Sequence, residues 1–268
     1  MALSLASLWT ETRSFIRRES ALIIPLALAT FGLGQAVSIL VFGIANRSGW
    51  NSLLIISMGA AILWTQVGYL SVSALVLKSG TSVGEALSRG LSRLPLLIII
   101  IVILSILIAA VTIPFSIAAQ MNGINLSQPG PAGPTASLVV ALPIALIMLF
   151  TFAKLYLLFA ALVDRRDGAM KITLHAYSLT RGRTLLFLGI ALIFILLFQI
   201  VQFLGALVAS ALFVSLFAAF GSPIGGAVMV ALTAGIAASF PMVLSSVFSA
   251  LLYRRLSDQK EIGSGSQR

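Results

Sequence analysis

Six long apolar runs constrain this chain more than any other feature. They cover roughly residues 21–45, 52–77, 95–119, 137–163, 184–217 and 225–253. Each is long enough to cross a bilayer core, which takes about 20 residues as a helix. Lipid offers the backbone no hydrogen-bond partner, so such runs cross as helices that satisfy themselves. The reading is an all-α integral membrane protein with six transmembrane helices, arranged as three hairpins. Composition agrees: 59% of residues are hydrophobic and 9% charged, with a mean hydropathy of +1.11. Soluble domains carry about 25% charged residues. The fifth run exceeds a single span, so it is expected to tilt, bend or leave the membrane early, with Gln199, Gln202 and Gly205 marking where a break would fall.

The net charge of +10 raises the question of nucleic acid, and the placement of the charges argues against it. Sixteen of the seventeen lysines and arginines lie before the first run, between runs two and three, from Lys154 to Arg183, or after the last run. Arg47 alone falls on the other side. An even number of spans puts the four basic groups on one face, and the positive-inside bias makes that face cytoplasmic. The expectation is a multi-pass protein of a bacterial inner membrane with both termini in the cytoplasm. Anionic headgroups are the expected counter-charge, with partner membrane proteins besides and no nucleic acid. The first apolar run is too long for the core of a cleaved signal peptide, about 7–15 residues. The chain has no cysteine, which excludes disulfide and thiol chemistry.

The basic segments have a pattern of their own. Leu5, Leu8, Trp9, Phe15 and Ile16 fall at helical spacing; so do Val83, Leu87, Leu91 and Leu94, and again Met170, Leu174 and Tyr177. Each segment reads as a short amphipathic helix at the cytoplasmic interface. Ser82 and Glu85 have capping-box spacing, and Asp167 is placed to cap the third helix. One membrane domain over residues 1–268 is expected, as three similar units, approximately 3–77, 81–163 and 168–253. Residues 254–268 read as a flexible cytoplasmic tail. On the exported side, 46–51 and 218–224 read as turns and 120–136 as a Pro/Gly-rich loop.

The stretch "AYSLTRGRTLLFLGIALI", residues 176–193, joins the third amphipathic segment to the fifth run. Gly182 is expected to permit a tight bend between the two helices, or at least their close packing. Arg181 and Arg183 on either side are placed to lay their stems on apolar surface and their heads at phosphate depth. Tyr177 suits the headgroup layer.

Residues 154–190, "KLYLLFAALVDRRDGAMKITLHAYSLTRGRTLLFLGI", resemble the membrane domain family named after glycerophosphoryl diester phosphodiesterases. Lys154 matches that family's basic residue inside a span and Asp164 its acidic residue. Leu179-Thr180-Arg181-Gly182 matches its Leu-Thr-Arg-Gly step, while Ala176 and Tyr177 replace a Ser-Trp pair. The resemblance implies the six-span membrane part without a hydrolase domain.

A phosphodiesterase needs metal-binding carboxylates and acid–base groups. The chain offers one histidine, His175, and seven acids, all at the margins of the apolar runs. No catalytic residue, metal or cofactor is expected. Asp164-Arg165-Arg166-Asp167 reads as a solvated turn and Gly221–Gly226 as another. Lys154 is the sharpest residue, since ionisable groups inside a membrane default to functional candidates. Ten residues before Asp164, it is expected to lie roughly 15 Å deep. With Arg17, Arg18, Arg93, Arg181 and Arg183 it forms the expected set of headgroup-binding residues. Two functions are open: a non-enzymatic lipid-interacting scaffold or assembly factor, or a transporter for a small or lipid-like anionic substrate.

Overall fold

The computed structural model of the chain describes residues 4–78, 80–121, 133–220 and 222–265. They form helices α1 (Leu5–Arg18), α2 (Ser20–Ala27), α3 (Leu33–Ser48), α4 (Ser52–Leu77), α5 (Val83–Met121), α6 (Gly133–Leu155), α7 (Leu158–Asp164), α8 (Ala169–Thr180), α9 (Thr184–Ala219) and α10 (Pro223–Gly265). No strand occurs among the described residues. Among the described residues six stretches are long and apolar enough to cross a membrane: Ser20–Ser48, Ser52–Leu77, Val83–Pro114, Leu142–Asp164, Thr184–Phe217 and Ile224–Gln259. The protein is therefore a multi-pass helical membrane protein. Large apolar side chains such as Ile106 on α5 and Ile193 and Phe203 on α9 stand exposed. Lipid is the solvent that permits this.

Helix starts follow local chemistry. Ser4 accepts the Ser7 N–H at 3.4 Å, Asn51 accepts the Leu54 N–H at 2.9 Å, and Ser82 accepts the Glu85 N–H at 3.3 Å. Each hydroxyl or amide satisfies a first-turn N–H that the helix leaves unpaired. Asp167 was expected to cap α8, but Gly168 occupies that position and no side chain bonds there.

Four further expectations change. The amphipathic segment 83–94 is not a separate helix, since α5 runs unbroken through Pro95. α9 also runs unbroken past Gln199, Gln202 and Gly205. At Gly205 a Cβ would meet that of Ala237 at 2.8 Å, so the glycine serves close packing of α9 on α10. Of residues 120–136, expected as a loop, 120–121 still belong to α5 and 133–136 already to α6; 122–132 lie outside the described residues. Residues 254–265 continue α10, and Arg254 and Arg255 grip Glu11 of α1 at 2.7 and 2.6 Å.

By packing, the chain divides into two compact units: Met1–Leu94 with Leu157–Arg166 and Ile193–Arg268, and Pro95–Tyr156 with Asp167–Leu192. In the first unit α10 packs along α3 and α4. Small residues set the spacing: a Cβ on Gly235 would meet the Gly32 carbonyl at 2.5 Å and the Ala36 nitrogen at 2.9 Å. Between α2 and α3 the helix widens into a π turn, Leu28–Gly32. Its Ala29 carbonyl accepts the Trp64 indole N–H at 2.7 Å, as expected where a widened turn releases a backbone acceptor. Buried Phe31 packs edge-on against Tyr69, which stacks on Phe159 of α7. In the second unit α6 packs on α8.

Candidate functional site around Lys154

The helix carrying Lys154 stops one residue later. α6 ends at Leu155 and α7 begins at Leu158, so the Lys154–Asp164 stretch is not one continuous helix. A depth of 15 Å counted along such a helix no longer follows. The last carbonyls of α6 have lost their helical donors. The Thr180 hydroxyl lies 3.4 Å from the Lys154 carbonyl and 2.9 Å from that of Tyr177.

The next turn explains the Arg-Gly-Arg step. Arg181 has φ −64° and ψ 134°, and Gly182 has φ +80°. The Arg183 N–H donates to the Thr180 carbonyl at 3.3 Å. That is a type II turn, whose third position requires a positive φ and so favours glycine. The bend expected at Gly182 is present. It leaves Arg181 and Arg183 exposed on either side and starts α9 at Thr184.

Thr184 is thereby brought to Lys154. The ammonium donates to the Thr184 hydroxyl at 2.6 Å and lies over the rings of Phe150, at 5.4 Å, and Tyr177, at 5.1 Å. Lys154 is only 7% exposed, and no carboxylate pairs with it among the described residues. It sits in a groove of about 320 Å³. One wall is the α5 stripe Ile100, Ile103, Leu104 and Leu107, and α8 supplies Met170 and Leu174. Among the described residues, Lys154 is the sole charged one lining it.

The other residues expected at headgroups lie elsewhere. Arg17 and Arg18 are exposed at the end of α1, and Arg93 is half-buried in α5, all in the first unit. Arg18 pairs with Glu19 at 3.0 Å and sits over Phe15. A cavity of about 530 Å³ in that unit is lined by Arg18, Glu19, Glu11 and Arg254. Its charges neutralise one another, through Arg18 to Glu19 and Arg254 to Glu11. The Lys154 groove has no such internal balance, which makes it the stronger candidate. Sequence reading singled out Lys154 but missed its partners Thr184 and Tyr177, which lie far along the chain. The Phe150 contact, one helical turn back, was open to reading from spacing alone.

Among the described residues no three histidine, aspartate or glutamate side chains gather as a metal site requires. No family model, curated protein or solved structure matches this chain.

Proposed function

We propose that this is a non-enzymatic integral membrane protein of a bacterial inner membrane. It binds anionic lipid headgroups along a cytoplasmic face and serves as a scaffold or assembly factor for partner membrane proteins. The observation that carries this reading is the pair Arg181 and Arg183, exposed on both sides of a tight turn where a 36-residue apolar helix begins. Guanidinium heads held at that position suit lipid phosphate. Support comes also from α1, where Trp9 and Leu5 stand exposed on a helix that ends in Arg17 and Arg18. Such a helix is built to lie in an interface. α8 is read in the same way, and the spans as three hairpins with both termini cytoplasmic. Membership of the membrane-domain family that residues 154–190 resemble is part of this proposal.

The test is lipid enrichment around the full-length protein in mixed nanodiscs. Changing Arg181 and Arg183 together to glutamine removes on the order of 1 kcal/mol per charge at low salt. Preference for acidic over zwitterionic lipid should fall roughly tenfold or more. Arg47→Gln, outside the basic groups, should change nothing. Equal effects from the two variants would sink the reading. The scaffold role predicts that defined membrane proteins co-purify from native membranes at fixed stoichiometry.

A second reading, a transporter for a small or lipid-like anionic substrate, is favoured by the interruption of α6 beside Lys154. Broken helices at a polar group are the usual construction of a transport site. Substrate-dependent counterflow in proteoliposomes, abolished by Lys154→Met, would support it over the scaffold.

A further inference from the structure

The Lys154 ammonium has three N–H donors. Thr184 takes one at 2.6 Å, and the ring faces of Phe150 and Tyr177 supply only diffuse negative potential. The other donors have no oxygen acceptor among the described residues, although the side chain is 7% exposed. Helix dipoles do not settle the balance. Lys154 lies in the last turn of α6, where a cation is favoured, but its head lies at the first residue of α9, where an anion is favoured. A buried cation short of acceptors is costly unless an anion joins it.

The surroundings indicate what kind of anion. Ile100, Ile103, Leu104 and Leu107 recur at helical spacing and make an apolar strip about 10 Å long. Ile103, Leu107, Met170 and Leu174 are about half exposed or more, so the groove opens sideways toward lipid. A freely water-soluble anion would leave this strip unused.

We propose that the groove binds one acyl chain of an acidic phospholipid from the surrounding bilayer, with its phosphate against the Lys154 ammonium and the Thr184 hydroxyl. This rests on the lipid-binding reading and deepens it. A phosphate brings several acceptor oxygens to one place, enough for the remaining ammonium donors and the threonine hydroxyl together. One chain lies along the α5 strip and the second stays in the bilayer. Neither Arg181 nor Arg183 is needed for this single site, because they stand exposed on the turn.

The experiment is native mass spectrometry of the full-length protein loaded with phosphatidylglycerol, phosphatidylcholine or palmitate. Parallel samples carry a photoreactive group on the phosphatidylglycerol chain. One phosphatidylglycerol should survive activation that strips all others, and should crosslink to residues 100–107 and 170–177. Lys154→Met should lower its retention roughly tenfold or more, and Lys154→Arg should restore it. Leu104→Trp, which fills the groove and leaves the charge alone, should also remove it; this variant decides the matter if Lys154→Met fails to fold. Changing both Arg181 and Arg183 to glutamine should reduce the loosely held lipids and spare this one. The proposal is overturned if phosphatidylcholine or palmitate is retained equally well. It is also overturned if the tight lipid survives both Lys154→Met and Leu104→Trp. Loss of the tight site with acidic enrichment intact sinks this inference alone, whereas absent enrichment sinks the general lipid reading.

Discussion

Tyr253 donates its phenolic hydrogen to Asp164 Oδ2 at 2.8 Å, joining the long last helix to the end of α7 across 89 residues of sequence. Tyr253 is almost wholly buried while Asp164 is exposed, so the bond lies where protein meets its polar surroundings. Tyr253→Phe should cost about 1 kcal/mol and lower the melting temperature in detergent by about 2–4 °C. Asp164→Asn should add little on top of it. Full additivity of the two changes would show that they are not coupled.

Gly182 is predicted to resist substitution for a reason unrelated to space. A Cβ there meets nothing within 4 Å, yet φ is +80°. Gly182→Ala should therefore destabilise by about 1 kcal/mol. Gly84 also has open space but sits in the first turn of α5 with ordinary helical φ. Gly84→Ala should be neutral or stabilising by up to about 1 kcal/mol. Thermal melting of the two variants side by side checks the contrast, and equal shifts would refute it.

Gly235 should fail for the opposite reason. Its missing Cβ is the space that the Gly32 carbonyl occupies, and backbone cannot swing aside as a flexible side chain does. Gly235→Ala should cost at least about 1–3 kcal/mol and reduce the yield of monodisperse protein. Retention of wild-type melting behaviour would mean that α3 and α10 separate more readily than their packing implies.

Topology is testable because the natural chain has no cysteine. Single cysteines introduced as Ser127→Cys and Ser264→Cys can be probed with an impermeant thiol reagent. The proposed orientation requires labelling of the first and protection of the second in intact cells. The reverse pattern overturns it.

The spans were legible because lipid demands them. A long apolar run has one way to satisfy its backbone, so hydropathy located all six to within about five residues at every end but the start of the third span and the end of the sixth. Breaks within helices were not legible. The amphipathic spacing of 83–94 suggested a separate helix before the third span, yet α5 runs on through Pro95. No proline or glycine announced the stop after Leu155, where the Thr180 hydroxyl reaches the freed carbonyl of Lys154. The candidate site was half legible. A lysine in an apolar run declares itself, and the Arg-Gly-Arg turn followed from its glycine. The link between Lys154 and Thr184 spans 30 residues and depends on how α9 is aimed by that turn, which no local pattern encodes.

The π turn at Leu28–Gly32 has a consequence for how this membrane helix tolerates change of length. A π turn holds more residues per turn than the α-helix around it, so it is a place where the chain carries surplus. Removing one residue elsewhere in an α-helix rotates everything beyond the cut by about 100° and would swing packed faces toward lipid. Removing one between Leu28 and Gly32 lets the surplus relax into ordinary α-helix. Ile23 and Leu26 before the turn and Ala36 and Val41 after it, all buried, then have a route to keep facing inward. Across an evolving lineage, this is the turn at which the first span can change length by a single residue and still fit its neighbours.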